Sequence, residues 1–127
     1  MSILNELKKA KGLGSGHNGT HHFIVQRVSA VILIPLVLYF LYSIVRITGA
    51  HDYQAVQAWF ANPINSALVL AFMITGFYHA ALGVQVVIED YVHHEQIKWL
   101  SLIAVRGVCL IGALIAITSI LSLGLAR

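Results

Sequence analysis

The sequence predicts an all-α integral membrane protein with three transmembrane helices, and three observations carry that prediction. First, 58% of the 127 residues are hydrophobic and only 10% are charged, with a mean hydropathy of +0.81, a balance foreign to a soluble domain of this size. Second, the apolar residues fall into three blocks, residues 28–48, 65–88 and 100–123, each close to the ~20 residues a helix needs to cross the hydrocarbon. Third, the charged residues gather at the ends of these blocks and at their junctions. The blocks form one membrane domain spanning residues 1–127.

Residues 2–11 place Ile3, Leu4 and Leu7 on one helical side and Glu6, Lys8 and Lys9 elsewhere. That pattern suits an interfacial helix or a frayed tail. Residues 12–19, GLGSGHNG, are expected to break any helix, because glycine, serine and asparagine favour loops. The first span follows THHFIVQR, tolerates Pro35 as membrane helices do, and reaches the far interface at Tyr42 and Arg46. A short loop, residues 51–62, holds Tyr53, Trp59 and Phe60 in an expected interfacial helix. Pro63 opens the second span at the first helical turn, where its missing N–H costs nothing. The third span carries Ala104, Gly107, Gly112, Ala113 and Ala116, small side chains that let helices approach closely.

The formal charge of +3 follows topology and gives no reason to expect nucleic acid. Lys8, Lys9, Lys11 and Arg27 precede the first span, and Lys98 and Arg106 lie at the second junction; the opposite side has only Arg46 and Arg127. Cytoplasmic segments are enriched in lysine and arginine, so the N-terminus is expected in the cytoplasm and the C-terminus outside. The first 20 residues show neither an apolar signal-peptide core nor the arginine-rich and serine-rich bias of a transit peptide. A multi-pass protein of a bacterial inner (plasma) membrane is expected. Cys109, the single cysteine, is expected to be a packing residue of the third span.

Chemistry concentrates in the second span. His79 lies inside it, and an ionisable side chain within a membrane helix is costly and by default functional. At about 100° per residue, Gly76 and Gly83 lie within roughly 60° of His79, and Phe72, Val86 and Asp90 within roughly 20°. Glycine inside a helix marks close approach of another helix or of a flat ligand. Three readings stand at this point: a neutral histidine hydrogen-bonded to a neighbouring helix, a haem or metal ligand, or a step in a proton path. His21, His22 and Arg27, at the start of the first span, are either interfacial anchors or partners for the carboxylates of a buried cofactor. By topology Asp90 and Tyr91 return to the same membrane face, with His79 roughly 16 Å deeper than Asp90. His93, His94 and Glu95 are expected to be solvated loop residues, and Arg106 to snorkel. A six-coordinate haem on His79 would need its second ligand from another chain.

The segment HAALGVQVVIEDYV, from His79 to Val92, resembles the second-helix signature of the small membrane-anchor (cytochrome b) subunit of succinate dehydrogenase, complex II. The segment NGTHHFIVQR, from Asn18 to Arg27, resembles the approach to the first helix in the same family. The resemblance runs from about Gly14 onward. It implies that His79 is an axial ligand of a b-type haem (haem b) shared with a large cytochrome b anchor subunit, in one helical bundle with it. It implies that Tyr91 hydrogen-bonds ubiquinone with Asp90 beside it, and that Arg27 lies near both the quinone and the haem propionates. His21 belongs to the propionate vicinity, and the adjacent His22 leaves open which imidazole faces the haem. The implied activity is that of succinate:ubiquinone oxidoreductase in electron transport and the tricarboxylic acid cycle. In it this chain would serve beside a flavoprotein subunit and an iron-sulfur subunit as a membrane anchor, outside the catalytic headpiece.

Two other readings belong to other classes. One is a small proton or ion translocating subunit in which His79 relays protons and Asp90 gates them. The other is a structural tether without haem. The glycines beside His79 and the lack of a second intramembrane titratable residue to continue a proton wire favour haem.

Overall fold

The computed structural model describes residues 16–49 and 52–125. They form four helices: α1 (Gly16–Thr48), α2 (Tyr53–Ala61), α3 (Pro63–Tyr91) and α4 (Glu95–Leu125), with no strand among the described residues. Three are long and apolar enough to cross a membrane: Gly19–Thr48, Pro63–Tyr91 and Glu95–Leu125. All three outrun the apolar blocks. The 29 residues of α3 rise about 43 Å at 1.5 Å each, against ~30 Å of hydrocarbon. The helices therefore continue into the interface.

One expectation is corrected at the start of α1. Residues 12–19 were expected to be loop, yet the helix begins at Gly16. Glycine costs a helix up to ~1 kcal/mol per residue, but elongating a helix that the apolar span has already nucleated is far cheaper than starting one. The proposed interfacial segment, residues 2–11, lies outside the described residues, as does His51.

The turns are built by side-chain caps. Asp52 accepts a hydrogen bond from the Gln54 N–H at 3.2 Å and begins α2. Asn62 accepts one from the Ile64 N–H at 2.9 Å, with Pro63 in the first turn of α3 as expected. The short loop after Tyr91 is closed by the Val92 N–H donating to the Ile88 carbonyl at 3.0 Å.

The three long helices are arranged with α3 in the middle. It packs against both α1 and α4, which make no close backbone contact with each other among the described residues. Along the α1–α3 seam, Phe40 and Phe72 stack with ring centroids 4.5 Å apart, and Ser43 is buried with its hydroxyl donated to the Tyr39 carbonyl at 2.7 Å. On the α3–α4 seam, Gly112 receives the ring of Phe77, whereas Gly107 meets open space. Helix α2 is tied to the far ends of the bundle. The Tyr39 hydroxyl donates to Asn65 Oδ1 at 2.6 Å, Asn65 Nδ2 donates to the Trp59 carbonyl at 2.9 Å, and Ser66 donates to the Phe60 carbonyl.

Among the described residues the buried apolar side chains are Leu36, Val69, Ile88, Leu102 and Ile120. Large apolar residues on every long helix, such as Ile34, Val45, Tyr78, Ile103 and Val108, are exposed. That distribution suits a bilayer, where lipid tails or a neighbouring chain cover apolar surface and small contacts join the helices.

Candidate functional site

His79 sits on α3, about 18 Å from the helix's Tyr91 end at 1.5 Å per residue. Its Nδ1 lies 2.9 Å from Ser29 Oγ on α1. Ser29 is only 5% exposed, and its hydroxyl also donates to the carbonyl of Gln26, one turn back, at 2.9 Å. A hydrogen bond from His79 to a neighbouring helix, a feature of one of the three readings, is present, and it occupies one ring nitrogen. The ring makes no other hydrogen bond among the described residues. His79 also lines a cavity of about 580 Å³ together with His22, Gln26, Arg27, Gly83 and Val86, a size in the range of small-ligand sites.

The two glycines flanking His79 behave differently. A side-chain carbon on Gly83 would lie 3.4 Å from Gln26 Nε2, so Gly83 admits α1 closely; one on Gly76 would meet nothing within 4 Å. Gly76 thus offers a smooth, open patch on the helix.

Arg27 lines the cavity and is exposed, with its guanidinium 5.1 Å from the Phe23 ring centroid. His22 lines the same cavity, and its Nε2 is buried without a hydrogen-bond partner. Successive helical residues diverge by about 100°. His21 accordingly faces away, into a separate cavity of about 480 Å³ with Tyr78, Gln85 and Glu89, which His22 also borders. That shared lining brings the start of α1 and the end of α3 to one end of the bundle, as the topology predicted.

Asp90 and Tyr91 occupy that end without joining the His79 cavity. Asp90 borders a cleft of about 630 Å³ with Glu89, His93, Lys98 and Trp99, and Tyr91 is 78% exposed. Asp90 shares a helix face with His79 but is too far along the axis to share its cavity. The structure therefore unites His79, His22 and Arg27, and leaves His21, Asp90 and Tyr91 around them. Among the described residues no group of three or more histidine, cysteine, aspartate or glutamate side chains could hold a metal ion. His93, His94 and Glu95 accordingly form no such group. Cys109 is free and half-buried.

Further polar side chains complete the site. Ser29 and Gln26 are three apart and share the α1 face turned to His79, a polar pair at the head of an apolar run. Gln85 donates from Nε2 to Glu89 Oε1 at 2.7 Å and accepts from the Arg106 guanidinium at 3.0 Å. Arg106 thus reaches across to α3. Lys98 donates to the Glu89 carbonyl at 3.2 Å. Only the order of polar residues along α3 and α4, Gln85 then Glu89 and Lys98 then Arg106, hinted at this network.

Residues 1–121 match the family model described as succinate dehydrogenase/fumarate reductase transmembrane subunit. The chain is 39% identical over 101 residues to the succinate dehydrogenase hydrophobic membrane anchor subunit of Rickettsia bellii (strain RML369-C), covering 80% of each chain. It is 32% identical over 107 residues to the protein of that name from Rickettsia conorii (strain ATCC VR-613 / Malish 7), covering 84% of each. With the one from Paracoccus denitrificans it shares 35% identity over 91 residues, covering 72% of this chain and 70% of the relative. No solved structure matches the chain. Three apolar spans and these bacterial relatives make it a multi-pass protein of a bacterial inner membrane. A family match over nearly the whole chain, with anchor subunits as relatives, shows that it belongs to the succinate dehydrogenase/fumarate reductase transmembrane subunit family, as a succinate dehydrogenase membrane anchor.

Proposed function

We propose that this anchor supplies His79 as one axial ligand of a b-type haem and forms part of the ubiquinone-reduction site of succinate dehydrogenase. The observation that carries the proposal is His79, held through Nδ1 by Ser29 and lining one cavity with Arg27 and His22. The residues present suit the group. One imidazole nitrogen is left for iron, and Arg27 and His22, which line the same cavity, would hold the propionate carboxylates. When bound, such a haem exchanges single electrons at a potential tuned by its ligands. The second axial ligand comes from the large cytochrome b anchor subunit.

The bonding around His79 also argues against a proton relay. Its chain of hydrogen bonds ends at the Gln26 carbonyl, an acceptor that passes no proton onward.

Quinone reduction takes two electrons and two protons, so its site must lie near the electron donor and near water. Tyr91 and Asp90, exposed at one end of the bundle, meet the second condition. In this reading the Tyr91 phenol donates a hydrogen bond to a quinone carbonyl, Asp90 orients it and feeds protons, and Arg27 closes the site toward His79. The iron-sulfur subunit would dock on that end and the flavoprotein on the iron-sulfur subunit. The end then faces the cytoplasm, in agreement with the lysine and arginine distribution.

Purification of the complex through a tag on this chain tests the proposal. It should bring down a flavoprotein, an iron-sulfur protein and a second membrane subunit, with b-type absorption after reduction. A chain that purifies alone and colourless contradicts it.

A further inference from the structure

We infer that Ser29 is a positioning residue that fixes the tautomer and the plane of the His79 imidazole, so that Nε2 offers its lone pair to the cavity. This inference rests on the reading of His79 as a haem ligand and adds a residue to it.

Ser29 has one O–H and two lone pairs. Its oxygen lies 2.9 Å from the Gln26 carbonyl oxygen and 2.9 Å from His79 Nδ1. The carbonyl can only accept, so the hydroxyl proton belongs there; placed instead toward Nδ1, it would leave two acceptor oxygens facing each other without a hydrogen. Ser29 is 5% exposed, so little water reaches it to relieve such a contact. Ser29 Oγ is therefore left as an acceptor, and Nδ1 must carry the hydrogen. In a neutral imidazole that places the free lone pair on Nε2.

The hydrogen bond also limits rotation. Nδ1 is tethered to a serine whose own rotamer is set by the carbonyl one turn back on α1, and the ring plane becomes a property of the α1–α3 seam. In ligating histidines, a hydrogen-bond acceptor on the second nitrogen orients the ring and raises its basicity. A more basic imidazole favours the ferric state, so removing the acceptor should raise the midpoint potential.

The test is made on the purified complex with Ser29→Ala, Ser29→Cys and Ser29→Thr, alongside His79→Ala. Removing such an acceptor lowers metal affinity by about 10–100-fold, so Ser29→Ala should hold haem less firmly. Its potential should shift upward, and the ferric low-spin electron paramagnetic resonance signal should change as the ring turns. Ser29→Cys, which keeps the bulk but accepts weakly, should behave like Ser29→Ala, and Ser29→Thr should restore all three readouts. If Ser29→Ala and Ser29→Cys match the parent in haem retention, potential and resonance signal while His79→Ala is haem-free, the role of Ser29 is overturned and the ligand assignment stands. If His79→Ala keeps its haem, the ligand assignment falls instead.

Discussion

The ring of Phe77 on α3 fills the space where Gly112 on α4 lacks a side chain: a carbon added there would lie 2.6 Å from Phe77 Cε1 and 2.8 Å from Cζ. An aromatic knob in a glycine hole is a form of close helix approach that does not depend on water, so it suits a bilayer. Gly112→Ala should destabilise the chain by about 1–3 kcal/mol, the usual cost of overpacking. Phe77→Leu, which replaces the ring by a smaller side chain, should recover part of that loss. Thermal or denaturant unfolding of the detergent-solubilised complex reads both, and additive effects of the two substitutions would show that the residues do not interact.

The orientation is tested by reporters. If the N-terminus and the His93–His94 loop face the cytoplasm, as proposed, a reporter active only outside should be active when fused after Arg127 and silent when inserted between α3 and α4. The reverse pattern would place Tyr91 on the wrong face for a cytoplasmic iron-sulfur partner.

Much of the architecture was legible because it rests on hydropathy and charge, which are local properties. The three spans, Pro63 at a helix start and the short amphipathic α2 all follow from residue type at a given spacing. The start of α1 did not, since the loop preference of Gly16 and Gly19 is weak against propagation from a long apolar helix. His79 stood out as a titratable group in an apolar run. Its partner Ser29 did not, because a serine within a membrane helix carries no signature until the facing helix is known. Helical position put Asp90 on the His79 face about 16 Å nearer the helix end, a height at which the two line different cavities.

Two adjacent histidines make unequal predictions. His22 shares the His79 cavity and has a buried, unpartnered Nε2, whereas His21 faces the Tyr78 side. His22→Ala should loosen haem retention roughly 10-fold, the scale of one hydrogen bond to a charged group, and His21→Ala should change it little. Haem-to-flavin ratios after detergent washing compare the two. Equal effects would mean that His22 has no special place at the propionates.

Tyr91 lies outside the His79 cavity, so its loss should separate quinone chemistry from haem. Tyr91→Phe should keep assembly, haem content and succinate oxidation with a soluble artificial acceptor, while turnover with ubiquinone falls about 10-fold, the scale of one lost hydrogen bond. Unchanged ubiquinone turnover would remove the phenol from the site.

Most direct is the absorption spectrum of the dithionite-reduced complex carrying His79→Ala in this chain alone, with the four subunits verified as assembled. The b-type bands should disappear or be sharply reduced, because the second ligand from the partner cannot hold a six-coordinate haem by itself. Bands of undiminished intensity and position would contradict the account at its base.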